Sequence, residues 1–216
     1  MYHAIVEAIE DIGWDPREIK KFVITHGHFD HCGCGKWITE NFHPETYLSK
    51  IDDDFWATSP FYPDDPSTWK DFEITNYVDE GDEITLGNTT IKVLFTPGHT
   101  PGGLSFIFPV HDNGVEHMAG MWGGTNPPGA IGDVVKYLAS VDHFAEETKK
   151  AHCDVAICNH PDFDMGYVKM EYSRNRKAHM PNAYVMGEDA FQKFNDIFRT
   201  LCYGKLLTIA EQNGIQ

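Results

Sequence analysis

Thr25-His26-Gly27-His28-Phe29-Asp30-His31 sets three imidazoles and a carboxylate within six residues, directly after the apolar run Lys21-Phe22-Val23-Ile24. The run reads as a short buried strand, and a helical stretch opens around Gly33-Cys34-Gly35 and continues to about Phe42. The cluster therefore belongs to a strand-to-helix turn. Neighbouring side chains diverge along a regular strand or helix, whereas a turn lets His26, His28, Asp30 and His31 converge. Neutral imidazole nitrogens and a carboxylate oxygen are the ligand set of zinc and related transition metals. A histidine-rich surface loop or a tag would share the composition. A tag, however, is a terminal homopolymer, and this stretch is internal, mixed and flanked by core-like sequence.

Two further histidines have similar settings. Lys92-Val93-Leu94-Phe95 is followed by Thr96-Pro97-Gly98-His99-Thr100-Pro101-Gly102-Gly103, a turn-forming segment with one histidine. Asp154-Val155-Ala156-Ile157-Cys158 is strand-like, and Asn159-His160-Pro161 follows it at once. Taken singly, His99 or His160 reads as a structural or surface histidine. Histidine-bearing turns after three separate apolar runs form a pattern.

Together the His-x-His-x-Asp-His motif, the Thr96–Gly103 segment and Asn159-His160-Pro161 resemble the metallo-β-lactamase superfamily of binuclear metallohydrolases, from about Ile12 to at least Asp162. The resemblance implies an α/β fold of α+β type, an αββα sandwich with metals at one edge on loops at strand ends. It further implies that His26, His28 and His99 hold a first metal and that Asp30, His31 and His160 hold a second. Two Zn2+ are expected, and iron or manganese suits the same donors. Many superfamily hydrolases carry a metal-bridging Asp in a Gly-Asp segment after the fourth motif strand. The corresponding stretch here, Met118-Ala119-Gly120-Met121-Trp122-Gly123-Gly124-Thr125, has neither carboxylate nor cysteine. In this it is similar to the lactamase subclass whose second zinc has an Asp-His-His set.

Three protein ligands per metal leave positions open for water, the mark of a catalytic zinc. Zinc lowers the pKa of bound water to about 7, so a hydroxide bridging the two metals is the expected nucleophile toward a carbonyl. Asp30 would orient it while ligating the second metal. The expected activity is hydrolysis of a small-molecule β-lactam or similar cyclic amide. Hydrolysis of another ester, lactone or thioester is an alternative, as is a metal-binding remnant with little catalysis. Cys32 and Cys34 lie close by and read as residues that support the ligands from behind or pack, because six ligands already account for two metals. Thr125 and Asn126 are weak candidates for holding a substrate carboxylate.

The 216 residues, 41% of them hydrophobic, suit one domain. Lys plus Arg number 17 against 33 Asp plus Glu, a formal net charge of −16. Such a surface repels phosphate backbones, so no nucleic-acid partner is expected. Five cysteines without framework spacing argue against a disulfide scaffold, and no apolar run approaches membrane-spanning length.

Near the start, Ile5, Val6, Ile9 and Ile12 form a helical stripe ended by Gly13, and Asp15-Pro16 gives N-cap and N1 signals. Measured against the family, the first-sheet strands that precede this helix are expected to be missing, leaving a single N-terminally shortened domain over 1–216. A homodimer burying the open face is the corresponding expectation. As written, without an export signal, the chain would be cytoplasmic.

Strands are expected at Thr46–Ser49, within Thr75–Phe95, and at Leu104–Phe108 and Val115–Ala119, with a helix over Ile51–Trp56. Ser59–Lys70 reads as a long loop whose Phe61, Tyr62 and Trp69 are better suited to packing than to substrate contact. Asp133–Lys150, with Asp133 as N-cap, and Glu188–Gln212 read as amphipathic helices. Arg174, Arg176, Lys177 and His179 form one basic patch, either a solvated helix face or an attractor of an anionic substrate group.

Overall fold

The computed structural model describes residues 2–59 and 62–214, which leaves Phe61 outside the described residues. The chain divides into two compact units, Met1–Val78 and Asp79–Gln216.

In the first unit, α1 (Tyr2–Asp11) half-buries Ile5, Val6 and Ile9 along one face. Asp15 then caps a 3-10 turn over Pro16–Glu18, accepting from the Arg17 amide at 2.9 Å, as the Asp-Pro signal implies. Strands β1 (Lys21–Val23), β2 (Glu45–Leu48) and β3 (Asn76–Tyr77) pair in parallel in that order, with Phe22 opposite Thr46 and Leu48 opposite Tyr77. Parallel pairing needs a crossover, and helices supply it. Helices α2 (Phe29–Cys32) and α3 (Gly35–Phe42) join β1 to β2, and α4 (Lys50–Thr58) follows β2.

Helix α4 is longer than the apolar pattern alone indicates, because the Ser49 hydroxyl accepts from the Asp52 amide at 3.1 Å and starts it a residue earlier. Ile24, Cys32, Leu48, Trp56, Phe72 and Ile74 make the core of this unit. Full burial of side chains of this kind contributes about 1.5–3 kcal/mol each.

In the second unit, β4 (Glu83–Leu86), β5 (Thr89–Phe95), β6 (Leu104–Asp112) and β7 (Val115–Trp122) form an antiparallel meander. Helix α5 (Ile131–Lys150) carries the chain to β8 (Val155–Cys158), which lies parallel to β7 with Trp122 opposite Cys158. One face of this sheet presents Leu94, Ile107, Trp122, Ala156 and Cys158 to Tyr137, Val141 and Phe144 of α5 and to Phe191, Phe194 and Phe198 of α7 (Glu188–Gln212).

Local expectations change here. Strand β7 runs on to Trp122, three residues past the expected end at Ala119. A Cβ on Gly120 would lie 2.6 Å from the Phe191 ring and 2.9 Å from Thr148, so this glycine admits the helices to the sheet rather than breaking the strand. Helix α5 begins at Ile131 with Ala130 as N-cap, and Asp133 sits inside the first turn, where the helix dipole favours an acid. In the basic patch, Arg176 makes a bidentate pair with Asp112 at 2.7 Å, and Arg174 of α6 (Gly166–Asn175) meets Glu171 at 3.4 Å. Among the described residues the five cysteines are free thiols, and no helix is long and apolar enough to cross a membrane.

Candidate metal centre

The first unit contributes a compact histidine loop. Beyond β1 the chain buries Ile24 and Thr25, then His26 at 0% exposure, and turns at Gly27 and His28 into the single turn of α2, which carries Asp30 and His31. The His26 ring lies edge-on to His28, with centroids 4.9 Å apart, and 4.1 Å from the ring of His31. Thr25 Oγ1 is 3.1 Å from His26 Nδ1. Asp30 Oδ2 is 3.4 Å from His31 Nε2.

The loop is held from behind by α4. The Gly27 amide, between the two histidines, donates to Asp52 Oδ2 at 2.8 Å, and Asp52 is fully buried. A Cβ at Gly27 would come within 2.8 Å of the Asp52 carbonyl oxygen and of Trp56 Cβ. The Cys32 thiol donates to the His28 carbonyl at 2.9 Å, and burial pushes the Cys32 and Cys34 thiols up, away from the thiolate form that binds metal. Cys32 packs in the core of this unit, and Cys34 is half-buried. Asp52 is a residue that the sequence reading passed over; the Ser49-Lys50-Ile51-Asp52 spacing, a capping-box type of signal, was its only marker.

The second unit contributes His99 and His160. His99 sits on a turn closed by Thr96 N–H to Gly103 O and Gly98 N–H to Thr100 O, both 2.8 Å. Its Nδ1 is 2.8 Å from the Asn126 carbonyl oxygen. A carbonyl only accepts, so Nδ1 carries the proton and Nε2 presents its lone pair, the arrangement a ligating imidazole needs. Thr125 is buried and Asn126 is exposed, with its backbone oxygen engaged by His99. His160 follows β8 directly. Its neighbour Asn159 donates through Nδ2 to the Gly123 carbonyl at 2.5 Å, tying this turn to the Gly-rich stretch after β7.

Among the described residues, two groups of side chains can hold a metal ion: His26, His28 and His99, and Asp30, His31 and His160. Each residue offers one ligand atom, and within a group these atoms all lie within 4.8 Å of one another. The donors, five imidazoles and one carboxylate, are those of zinc. Within the first unit His26, His28, Asp30 and His31 share one loop, and within the second His99 and His160 each stand on a turn beyond a strand.

A family profile described as Metallo-beta-lactamase superfamily matches residues 2–112. A probable polyketide biosynthesis zinc-dependent hydrolase of Bacillus subtilis is 31% identical over 93 residues, 42% of this chain and 35% of the relative. A hydroxyacylglutathione hydrolase of Chelativorans sp. is 34% identical over 110 residues, 49% of this chain and 34% of the relative. The chain thus spans about a third of the length of these two relatives. The crystal structure of BJP-1, a subclass B3 metallo-beta-lactamase of Bradyrhizobium japonicum, aligns with a TM-score of 0.79 at 23% identity, covering 97% of this chain and 80% of that one. At that identity the likeness shows the fold.

Proposed function

The chain belongs to the metallo-β-lactamase superfamily, and from that premise we propose that it is a zinc-dependent binuclear hydrolase that opens a β-lactam or a similar cyclic amide. The observation that carries this reading is the pair of ligand triplets, His-His-His and Asp-His-His. The carboxylate-free stretch Met118–Thr125 supports the lactam over the glyoxalase-like arrangement. When bound, the ions supply Lewis acidity toward a carbonyl oxygen and a water that ionises near neutral pH.

The remaining chemistry belongs to the chain. His26, His28 and His99 would hold the first ion, with the His99 tautomer fixed by Asn126 O. Asp30, His31 and His160 would hold the second. Asp30, the one carboxylate among the six, would orient the attacking water and accept its hydrogen bond. No serine or cysteine nucleophile is needed, in keeping with thiols held neutral by burial.

A second reading, hydrolysis of a thioester or other ester, is favoured by the likeness to a hydroxyacylglutathione hydrolase. A chromogenic cephalosporin separates the two. Ring opening by the purified protein, abolished by a chelator and restored by zinc, is the expected result. No turnover of the cephalosporin, with chelator-sensitive turnover of a thioester or lactone, replaces the first reading with the second.

A further inference from the structure

Behind His99 lies a buried hydrogen-bond clamp that the ligand set does not include. The Tyr137 hydroxyl, on α5, is 2.5 Å from the Gly124 carbonyl oxygen and 3.1 Å from that of Thr125. It also accepts from Trp122 Nε1–H at 3.1 Å, and the same indole N–H reaches Gly124 O at 2.5 Å. Tyr137 is fully buried, Trp122 and Thr125 are each 1% exposed, and the two rings meet edge-on at 5.4 Å. The clamped carbonyls immediately precede the Asn126 carbonyl that takes the His99 Nδ1 proton.

The same helix supports the other side of His99. Gly98 has φ +133°, and a Cβ there would lie 2.5 Å from Tyr137 Cα, so the His99 turn rests on the Tyr137 backbone. One turn along, Ser140 Oγ donates to the Pro97 carbonyl at 2.7 Å.

We propose that Tyr137 is a positioning residue that, through the Gly124–Asn126 carbonyls, fixes the tautomer and direction of the His99 imidazole for metal binding. The proposal rests on His99 being a ligand of the first metal. The hydroxyl shares its one proton between the Gly124 and Thr125 carbonyls and receives the indole proton, so the Tyr137 hydroxyl, the Trp122 N–H and both carbonyls are paired within the protein. A buried network in that state keeps one geometry, and groups that orient a ligating histidine in this way typically change metal affinity about 10–100-fold when removed. On this account the stretch without a carboxylate contributes to the site through its backbone.

Tyr137→Phe tests this, because it removes one oxygen and keeps the ring. Two quantities are read: zinc affinity, by competition with a chromophoric chelator, and the His99 tautomer in metal-free protein, by long-range 15N–1H NMR of the ring. The wild type is expected to show His99 protonated at Nδ1. The variant is expected to show a mixed tautomer and about tenfold weaker binding of one zinc equivalent. Phe194→Leu, in the same core cluster, is the comparison: it should lower the melting temperature and leave both readouts alone. Unchanged affinity and tautomer in Tyr137→Phe would overturn the proposal, as would an equal loss of affinity in Phe194→Leu. Should Tyr137→Phe not fold, Trp122→Phe removes the other clamp donor and is judged by the same two readouts. If the wild type binds no zinc, the hydrolase reading fails, while the tautomer measurement still decides the role of Tyr137.

Discussion

Asp30→Ala should lower turnover by a factor on the order of 10²–10⁴, the range for losing a group that handles the attacking water. The physical reason is its singularity: it is the one oxygen donor among the six proposed ligands, so its loss would leave two imidazoles and remove the proposed hydrogen-bond acceptor for the nucleophile. Its side chain is 45% exposed, so folding should be nearly untouched and the kinetic loss can be read cleanly. His28→Ala should act differently, weakening the first triplet and leaving the second intact. Single-turnover kinetics with saturating zinc on both variants checks this. Wild-type turnover in Asp30→Ala would remove Asp30 from the mechanism.

Gly98→Ala should be the most damaging single methyl group in the second unit. At φ +133° an L side chain is strained at a cost of about 1–3 kcal/mol. The new Cβ also meets the Tyr137 backbone at 2.5 Å, where no rotamer change can relieve it, adding roughly 1–3 kcal/mol of overpacking. The turn carrying His99 must then move, so weaker zinc binding should accompany the lower stability. Denaturant unfolding gives the first effect and zinc competition the second. An unchanged midpoint would show that the turn is free to shift and does not rest on α5 as described.

The candidate ligands were legible because their chemistry is concentrated: His26, His28, Asp30 and His31 share one turn, and His99 and His160 each lie on a turn shortly after an apolar strand. Helix α7 was legible too, because Phe191, Phe194 and Phe198 repeat at helical spacing. What supports the ligands was not. Tyr137 sits among apolar residues of a packing helix, and nothing local distinguishes an aromatic that fills space from one whose hydroxyl aims at a carbonyl 13 residues back in the chain. Asp52 reads as one acid in an Asp-Asp-Asp run, and its task is set by an amide 25 residues away. The expected strand Val115–Ala119 stops short of Gly120, whereas β7 runs through it and the space this glycine leaves is occupied by Phe191 and Thr148. Local pattern reveals residues that act by type, and it misses those that act by who arrives beside them.

Metal content of the protein purified without added metal, and again after equilibration with zinc, tests the central claim most directly. Two ions per chain are expected in the wild type, falling to about one in Asp30→Ala and in His28→Ala. A single ion, no ion, or two ions retained in both variants would contradict a centre built from His26, His28, His99, Asp30, His31 and His160.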